Sequence, residues 1–232
     1  MSEAIAAERG ASGRPAAERR NDLVALFRFL RDCHACPLAE GRTNLVFGSG
    51  DADADLMFVG EAPGFHEDQQ GKPFVGRTGM LLDKLLGEIG LTRDEVFVGN
   101  VLKCRPPENR DPLPDEVEEC TPHLHRQIEL IEPRVICTLG NFATKLLSGS
   151  PRGITSVRGR PQDREISGRS VRLYPILHPA AALRSDAVKS QLREDFHRLP
   201  ELLAEPRPEP VTAPPMPGAT PAADASQLDL FG

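Results

Sequence analysis

Two groups of side chains in this sequence have types and spacings that could do chemistry. The first is a set of thiols: Cys33-His-Ala-Cys36 is a close pair, and Cys104 and Cys120 stand singly further along. A close pair with two distant singles suits ligation by four thiolates, of either a [4Fe–4S] cluster or a zinc ion, and spacing alone does not choose between them. Cys137 lies within the apolar run Val135–Leu139 and is expected to be an inert core thiol. The second group follows three apolar runs. Glu61, Glu67 and Phe74 come after Leu56–Gly60, Asn100 and Asn109 after Val96–Gly99, and His178 after Val171–Leu177. Taken singly, such residues are turn formers, core rings or solvated loop residues, and only their convergence in one place would make them a site.

These residues meet only if the elements behind them converge. Four short apolar or β-branched runs, Leu56–Gly60, Val96–Val101, Arg134–Leu139 and Val171–Leu177, read as buried strands. Helical patterns fill the gaps at about 79–89, 114–131 and 140–148, with a last one at about 187–203. A first amphipathic helix carries Leu23, Leu26, Phe27 and Leu30 on one face. The alternation predicts a single α/β domain over residues 21–204, with a central, mostly parallel four-stranded sheet flanked by helices on both faces. Ligands of such sheets sit at the carboxyl ends of the strands. The loops 60–78, 100–113 and 178–186 leave those ends, so one site built from all three is expected.

Composition bounds the rest. The chain has 232 residues, 39% of them hydrophobic and 27% charged, which is ordinary for a globular domain. It has no apolar stretch of the length that crosses a membrane, and residues 1–10 lack the apolar core of a secretory signal. A cytoplasmic monomer is the expectation, with the cysteines reduced or metal-bound. The formal net charge of −6 argues against coating nucleic acid by bulk charge. Local basic clusters do exist, at Arg152, Arg158, Arg160 and Arg164 and again at Lys103, Arg105 and Arg110. Residues 1–20, rich in Ala, Glu and Arg without apolar period, read as a mobile lead-in, and residues 205–232 as a disordered Pro/Ala-rich tail.

Taken together, Gly60-Glu-Ala-Pro-Gly64, Pro73-Phe-Val-Gly-Arg77, the run from Asn100 to Arg110 and His178-Pro179 resemble the family 4 uracil-DNA glycosylases, over roughly residues 23–203. The resemblance implies excision of uracil from DNA by cleavage of the N-glycosidic bond. It implies a [4Fe–4S] cluster on Cys33, Cys36, Cys104 and Cys120. It also implies that Phe74 stacks on a flipped uracil, Asn100 pairs with the base's N3–H and O4, and His178 donates to O2 as charge builds there. Glu61 or Glu67 would position the water, with Asn109 a further polar contact near the sugar. Leu183 and Arg184 would fill the gap left in the stack, and Arg158 and Arg160 would contribute to the DNA-facing charge. Ala62 occupies a place where the best-known glycosylases carry aspartate, so no single general base is assigned. It also stands where relatives that trap DNA covalently carry glutamine, so ordinary turnover is expected. A rival reading, a non-catalytic metal-containing DNA-binding accessory protein, would keep the cysteines without needing Phe74, Asn100 and His178 together. Gln227, Leu228, Leu230 and Phe231 of the terminal Gln-Leu-Asp-Leu-Phe look like the peptide by which bacterial repair proteins dock on the sliding clamp.

Overall fold

The computed structural model describes residues 14–209. In chain order the elements are α1 (Ala16–Arg31), α2 (Leu38–Gly41), β1 (Ser49–Gly50), β2 (Leu56–Gly60), α3 (Phe65–Gln70), α4 (Gly76–Glu88), β3 (Phe97–Asn100), α5 (Pro114–Ile131), β4 (Val135–Leu139), α6 (Asn141–Ser148), α7 (Ile154–Val157), β5 (Gln162–Ile166), β6 (Arg169–Ile176), α8 (Pro179–Ala182), α9 (Asp186–His197) and α10 (Leu199–Ala204). The strands form one sheet in the order β1-β3-β2-β4-β6-β5.

Strands β2 and β4 are buried along their whole length, as strands in the middle of a parallel sheet must be. Their side chains alternate between two cores. Leu56, Phe58, Val135 and Cys137 face one, while Met57, Val59 and Ile136 face the other. The first core is closed by Leu82 and Leu86 of α4, Leu192 and Phe196 of α9, and Leu199 of α10. Here the Phe58 and Phe196 rings stack with centroids 5.6 Å apart. The second core is closed by Leu23 and Leu30 of α1 and by Leu124, Ile128 and Ile131 of α5. Their spacing of three, four and seven residues puts each set on one helix face.

Three expectations need correction. The sheet has six strands and is mixed: β3, β2, β4 and β6 run parallel, while β1 and β5 are antiparallel edges. The four central strands are the four apolar runs of the sequence. The edges carry no strand signal in the sequence because β1 has two residues, too few to show a period, and Gln-Asp-Arg-Glu-Ile of β5 is polar on its solvated side. The lead-in is shorter than 20 residues, since α1 begins at Ala16 and its Arg19 is only 4% exposed. That guanidinium reaches Asp53 at 3.0 Å and donates to the Leu130 carbonyl at 2.9 Å, which anchors the helix to the domain. At the other end, residues 205–209 lie on the domain, because Arg207 donates to the carbonyls of Glu132 and Pro133. Gln227, Leu228, Leu230 and Phe231 fall outside the described residues. No helix among the described residues is long and apolar enough to cross a membrane.

Candidate active site

The loops after β2, β3 and β6 meet at the carboxyl edge of the sheet around a cavity of about 510 Å³. Glu61, Glu67, Phe74, Asn100, Asn109 and His178 all line it, so every residue expected to act on the base or the water stands on one wall or another. Gly60, the last residue of β2, packs directly against two of these side chains. A Cβ on Gly60 would lie 2.9 Å from the Phe74 ring and would also strike the Asn100 amide oxygen. Absence of a side chain there is what lets the ring and the amide close on the same space.

Phe74 is held in an unusual backbone conformation, left-handed with φ of +51°. For a residue with a bulky side chain that costs about 1–3 kcal/mol and persists only if the surroundings enforce it. Arg93 supplies the enforcement, donating from Nη2 to the carbonyls of Phe74 at 2.7 Å and Pro73 at 3.1 Å. The ring thus presented is buried, and its centroid lies 5.8 Å from the His178 imidazole at a tilt of 32°.

Asn100 ends β3 and is 3% exposed. Its carbonyl accepts from the buried Lys103 ammonium at 2.6 Å, but its side-chain amide bonds to no other described residue. A buried amide with open donors and acceptor on a cavity wall is a reader of a ligand's hydrogen-bonding edge. His178 caps the short helix α8, and its Nδ1 accepts from the Ala180 N–H at 3.1 Å. That bond places the proton of the neutral ring on Nε2. Burial lowers the imidazole pKa from 6.5 to about 4, so at neutral pH the ring is an uncharged Nε2–H donor. Close approach of the ring to β4 depends on Gly140, where φ is +90° and a Cβ would sit 3.1 Å from that of His178.

Of the two carboxylates, Glu61 is half-buried, and its pKa is raised by burial and by the neighbouring Asp111 charge. Glu67 projects from α3 into the same cavity. Asn109 sits at the rim with φ of +53° and accepts from Arg105 Nε at 2.7 Å. Arg184 lines the mouth and Leu183 beside it is 37% exposed. Arg158 and Arg160 are not brought to this cavity. Arg158 grips Asp195 at 3.0 and 3.1 Å, and Arg160 lines a separate hollow with Arg152 and Arg164. A larger groove of about 1610 Å³ along α5 and α6 shares Glu61 with the cavity but none of its other five expected residues.

Three supporting residues were not legible as such in the sequence. Arg93 is one. Lys103 is another, with Nζ bonded to the Asn100 carbonyl and to Gln127 Oε1, each at 2.6 Å. Burial lowers its pKa to about 8. The third is Arg110, which grips Glu116 at 2.5 and 2.9 Å and so braces the loop between β3 and α5. An arginine six residues before a glutamate across a helix start is the one local signal for any of them.

Cys33, Cys36, Cys104 and Cys120 line one small cavity between the end of α1, the loop after β3, and α5. Among the described residues, no three His, Cys, Asp or Glu side chains converge as a ready-made site for an ion. Two of the sulfurs already accept hydrogen bonds, Cys104 from Arg42 Nη1 and Cys120 from the Lys103 N–H, both at 3.3 Å. Burial raises the pKa of Cys36, Cys104 and Cys120, the last to about 11. Such thiols ionise only if a cation compensates them, and donors aimed at the sulfurs are what a bound iron–sulfur group uses. Cys137 is fully buried in the core, as expected.

The chain is similar to known proteins over most of its length. Residues 47–198 match the family model of the uracil DNA glycosylase superfamily. A type-4 uracil-DNA glycosylase of Sulfurisphaera tokodaii is 46% identical over 180 residues, covering 75% of this chain and 82% of the relative. The type-4 enzyme of Thermotoga maritima is 45% identical over 73% of this chain and 88% of its own length. A type-5 uracil-DNA glycosylase of Pyrobaculum aerophilum is more distant, at 30% identity over 56% of this chain. The chain belongs to the uracil DNA glycosylase superfamily and, within it, to the type-4 family.

Proposed function

We infer that this protein is a monofunctional uracil-DNA glycosylase that extrudes deoxyuridine from DNA and hydrolyses its N-glycosidic bond. The observation that carries the reading is the cavity at the strand ends, where a buried unpaired amide, a fixed aromatic face and an uncharged imidazole donor point into one space. The accessory-protein alternative would not need that convergence.

The extruded base would stack on Phe74 while the Asn100 amide accepts from uracil N3–H and donates to O4. A base with the opposite edge would leave the amide unpaired, a penalty that serves as selectivity. As the C1′–N1 bond breaks, its electron pair moves onto the uracil ring and the sugar becomes an oxocarbenium ion. His178 Nε2–H donates to O2 as the charge grows, without charging or discharging itself. Glu61 and Glu67 stabilise the cationic sugar and orient the water that adds to C1′. The water's proton leaves to a carboxylate or to solvent, and the uracil anion is protonated on release. Leu183 and Arg184, exposed at the mouth, are placed to occupy the vacated stack and offset its unstacking.

The four thiols around one cavity fit a [4Fe–4S] cluster, which would supply bonds tying α1, the loop after β3 and α5 together. Lys103, whose N–H serves Cys120 while its ammonium serves Asn100, joins that region to the base-reading amide. We take the protein to work as a monomer in a reducing cytoplasm, where thiols of this kind stay reduced or bound to a cluster. The terminal Gln227–Phe231 peptide would dock on a sliding clamp and raise the local concentration of enzyme at replicating DNA.

The test is an end-labelled oligonucleotide with one uracil, incubated with protein and then treated with alkali, beside a thymine control. Cleavage at uracil alone, with free uracil found by mass spectrometry, is expected. No abasic product from protein with a full complement of iron would overturn the reading.

A further inference from the structure

Phe65 lies just outside the cavity and takes no part in the steps above. It is 51% exposed, although its neighbours Gly64 and Glu67 both line the cavity wall. The ring is not loose. The Arg105 guanidinium lies 5.2 Å from its centroid, and the His66 ring meets its edge at 5.4 Å and 77°. Arg105 is itself fixed, since its Nε donates to Asn109 Oδ1 on the cavity rim at 2.7 Å. The result is a braced shelf, Asn109 to Arg105 to Phe65, at the mouth of the site. It combines a planar apolar face with a cation, which is the pairing that holds a nucleobase and its phosphate. Leu183 and Arg184 provide a second apolar and cationic pair at the same mouth.

We propose that Phe65, backed by Arg105, is a stacking platform for the base next to the extruded nucleotide on the same strand. Extrusion strips that neighbouring base of its stacking partner and leaves one of its faces open. The exposed Phe65 ring offers a replacement face that any base can use, so the contact strengthens binding without reading sequence. The proposal rests on the glycosylase reading and concerns the substrate strand only.

The test couples a change in the protein to a change in the DNA. Wild-type and Phe65→Ala proteins are compared on single-stranded oligonucleotides carrying one uracil. In two further substrates the base on the 5′ or the 3′ side of the uracil is replaced by a baseless spacer. Phe65→Ala is expected to lower kcat/KM on the intact strand by about 5- to 100-fold, mostly through KM. One of the two spacers should lower wild-type kcat/KM by a similar factor, yet leave Phe65→Ala unchanged within about twofold, because the partner is already gone. Phe65→Trp should retain the wild-type response. Losses that multiply for both spacers, or a Phe65→Ala protein as active as wild type, would overturn the platform. Absence of uracil release by the wild-type protein would instead remove the glycosylase reading beneath it. Because Phe65 is exposed, the substitution leaves both cores intact, and an unchanged melting temperature checks this.

Discussion

Arg93→Met isolates what the strained backbone of Phe74 contributes. Arg93 donates two charge-assisted hydrogen bonds to consecutive carbonyls, at 2.7 and 3.1 Å. Its side chain is 23% exposed, so the lower end of the usual range applies, about 1.5 kcal/mol for each bond and about 3 kcal/mol together. The left-handed conformation of Phe74 costs about 1–3 kcal/mol. Without the guanidinium the balance tips, and the loop would spend most of its time with the ring turned from the cavity. Substrate must then select the minor conformer, which raises apparent KM in proportion to its rarity and leaves the saturated rate nearly unchanged. At about 1.4 kcal/mol per factor of ten, KM should rise about 10- to 100-fold with kcat within about threefold. Steady-state release of uracil from a defined oligonucleotide reads both constants, and urea unfolding reads any general loss of stability. A KM within twofold of wild type would refute the reasoning, because the bonds would then be incidental to how Phe74 is held. A fall in kcat alone would place Phe74 in the chemical step.

Further outcomes follow from the same geometry. His178 is neutral in the folded protein down to about pH 4 but titrates at its ordinary 6.5 when unfolded. The unfolded chain therefore gains a proton first, so its contribution should leave stability unchanged above about pH 6.5 and lower it as pH falls toward 4, readable as the difference in urea midpoints between wild type and His178→Gln. Activity in Glu61→Gln protein should show no histidine limb near pH 6.5; a limb there that depends on His178 would contradict the uncharged-donor role. Lys103→Met leaves the buried Asn100 carbonyl and Gln127 Oε1 without their donor, at about 1–3 kcal/mol each. Both the urea midpoint and kcat/KM should fall, and unchanged kcat/KM in a destabilised protein would confine Lys103 to the core. On the proposed [4Fe–4S] assignment, Cys120→Ala should cost bound iron and sulfide, assayed chemically, and lower the melting temperature; full iron content would remove Cys120 from the proposed ligand set.

How much of this was legible in the sequence depends on how local the signal was. The four central strands read directly because a strand buried on both faces must be an apolar run, as Leu56–Gly60 and Val135–Leu139 are. The edge β5 did not, because its solvated side is charged and only pairing with β6 makes it a strand. The cavity residues were within reach of the sequence because all of them lie in loops that leave the ends of such runs. What holds them was not. Arg93 lies 19 residues from Phe74, and nothing local distinguishes it from a surface arginine. Lys103 beside Cys104 looks like part of a basic patch, yet packing buries it to 1% exposure. Arg158 looks like a phosphate contact because its partner Asp195 is 37 residues away. In each case the deciding fact is a pairing across the fold, which charge patterning along the chain does not encode. Residues 16–20 lack a helical signal for the same reason, since Arg19 is drawn inward by Asp53 and Glu132.

Single-turnover excision of uracil by wild type, Asn100→Ala and His178→Ala tests the central claim most directly. Each variant keeps both cores, so melting temperatures close to wild type are expected. If the cavity at the strand ends reads and activates the base, each variant should lose about 100-fold or more in the rate of uracil release, in line with removal of a preorganised donor. Variants that fold normally and excise at the wild-type rate would show that the chemistry occurs elsewhere on the protein.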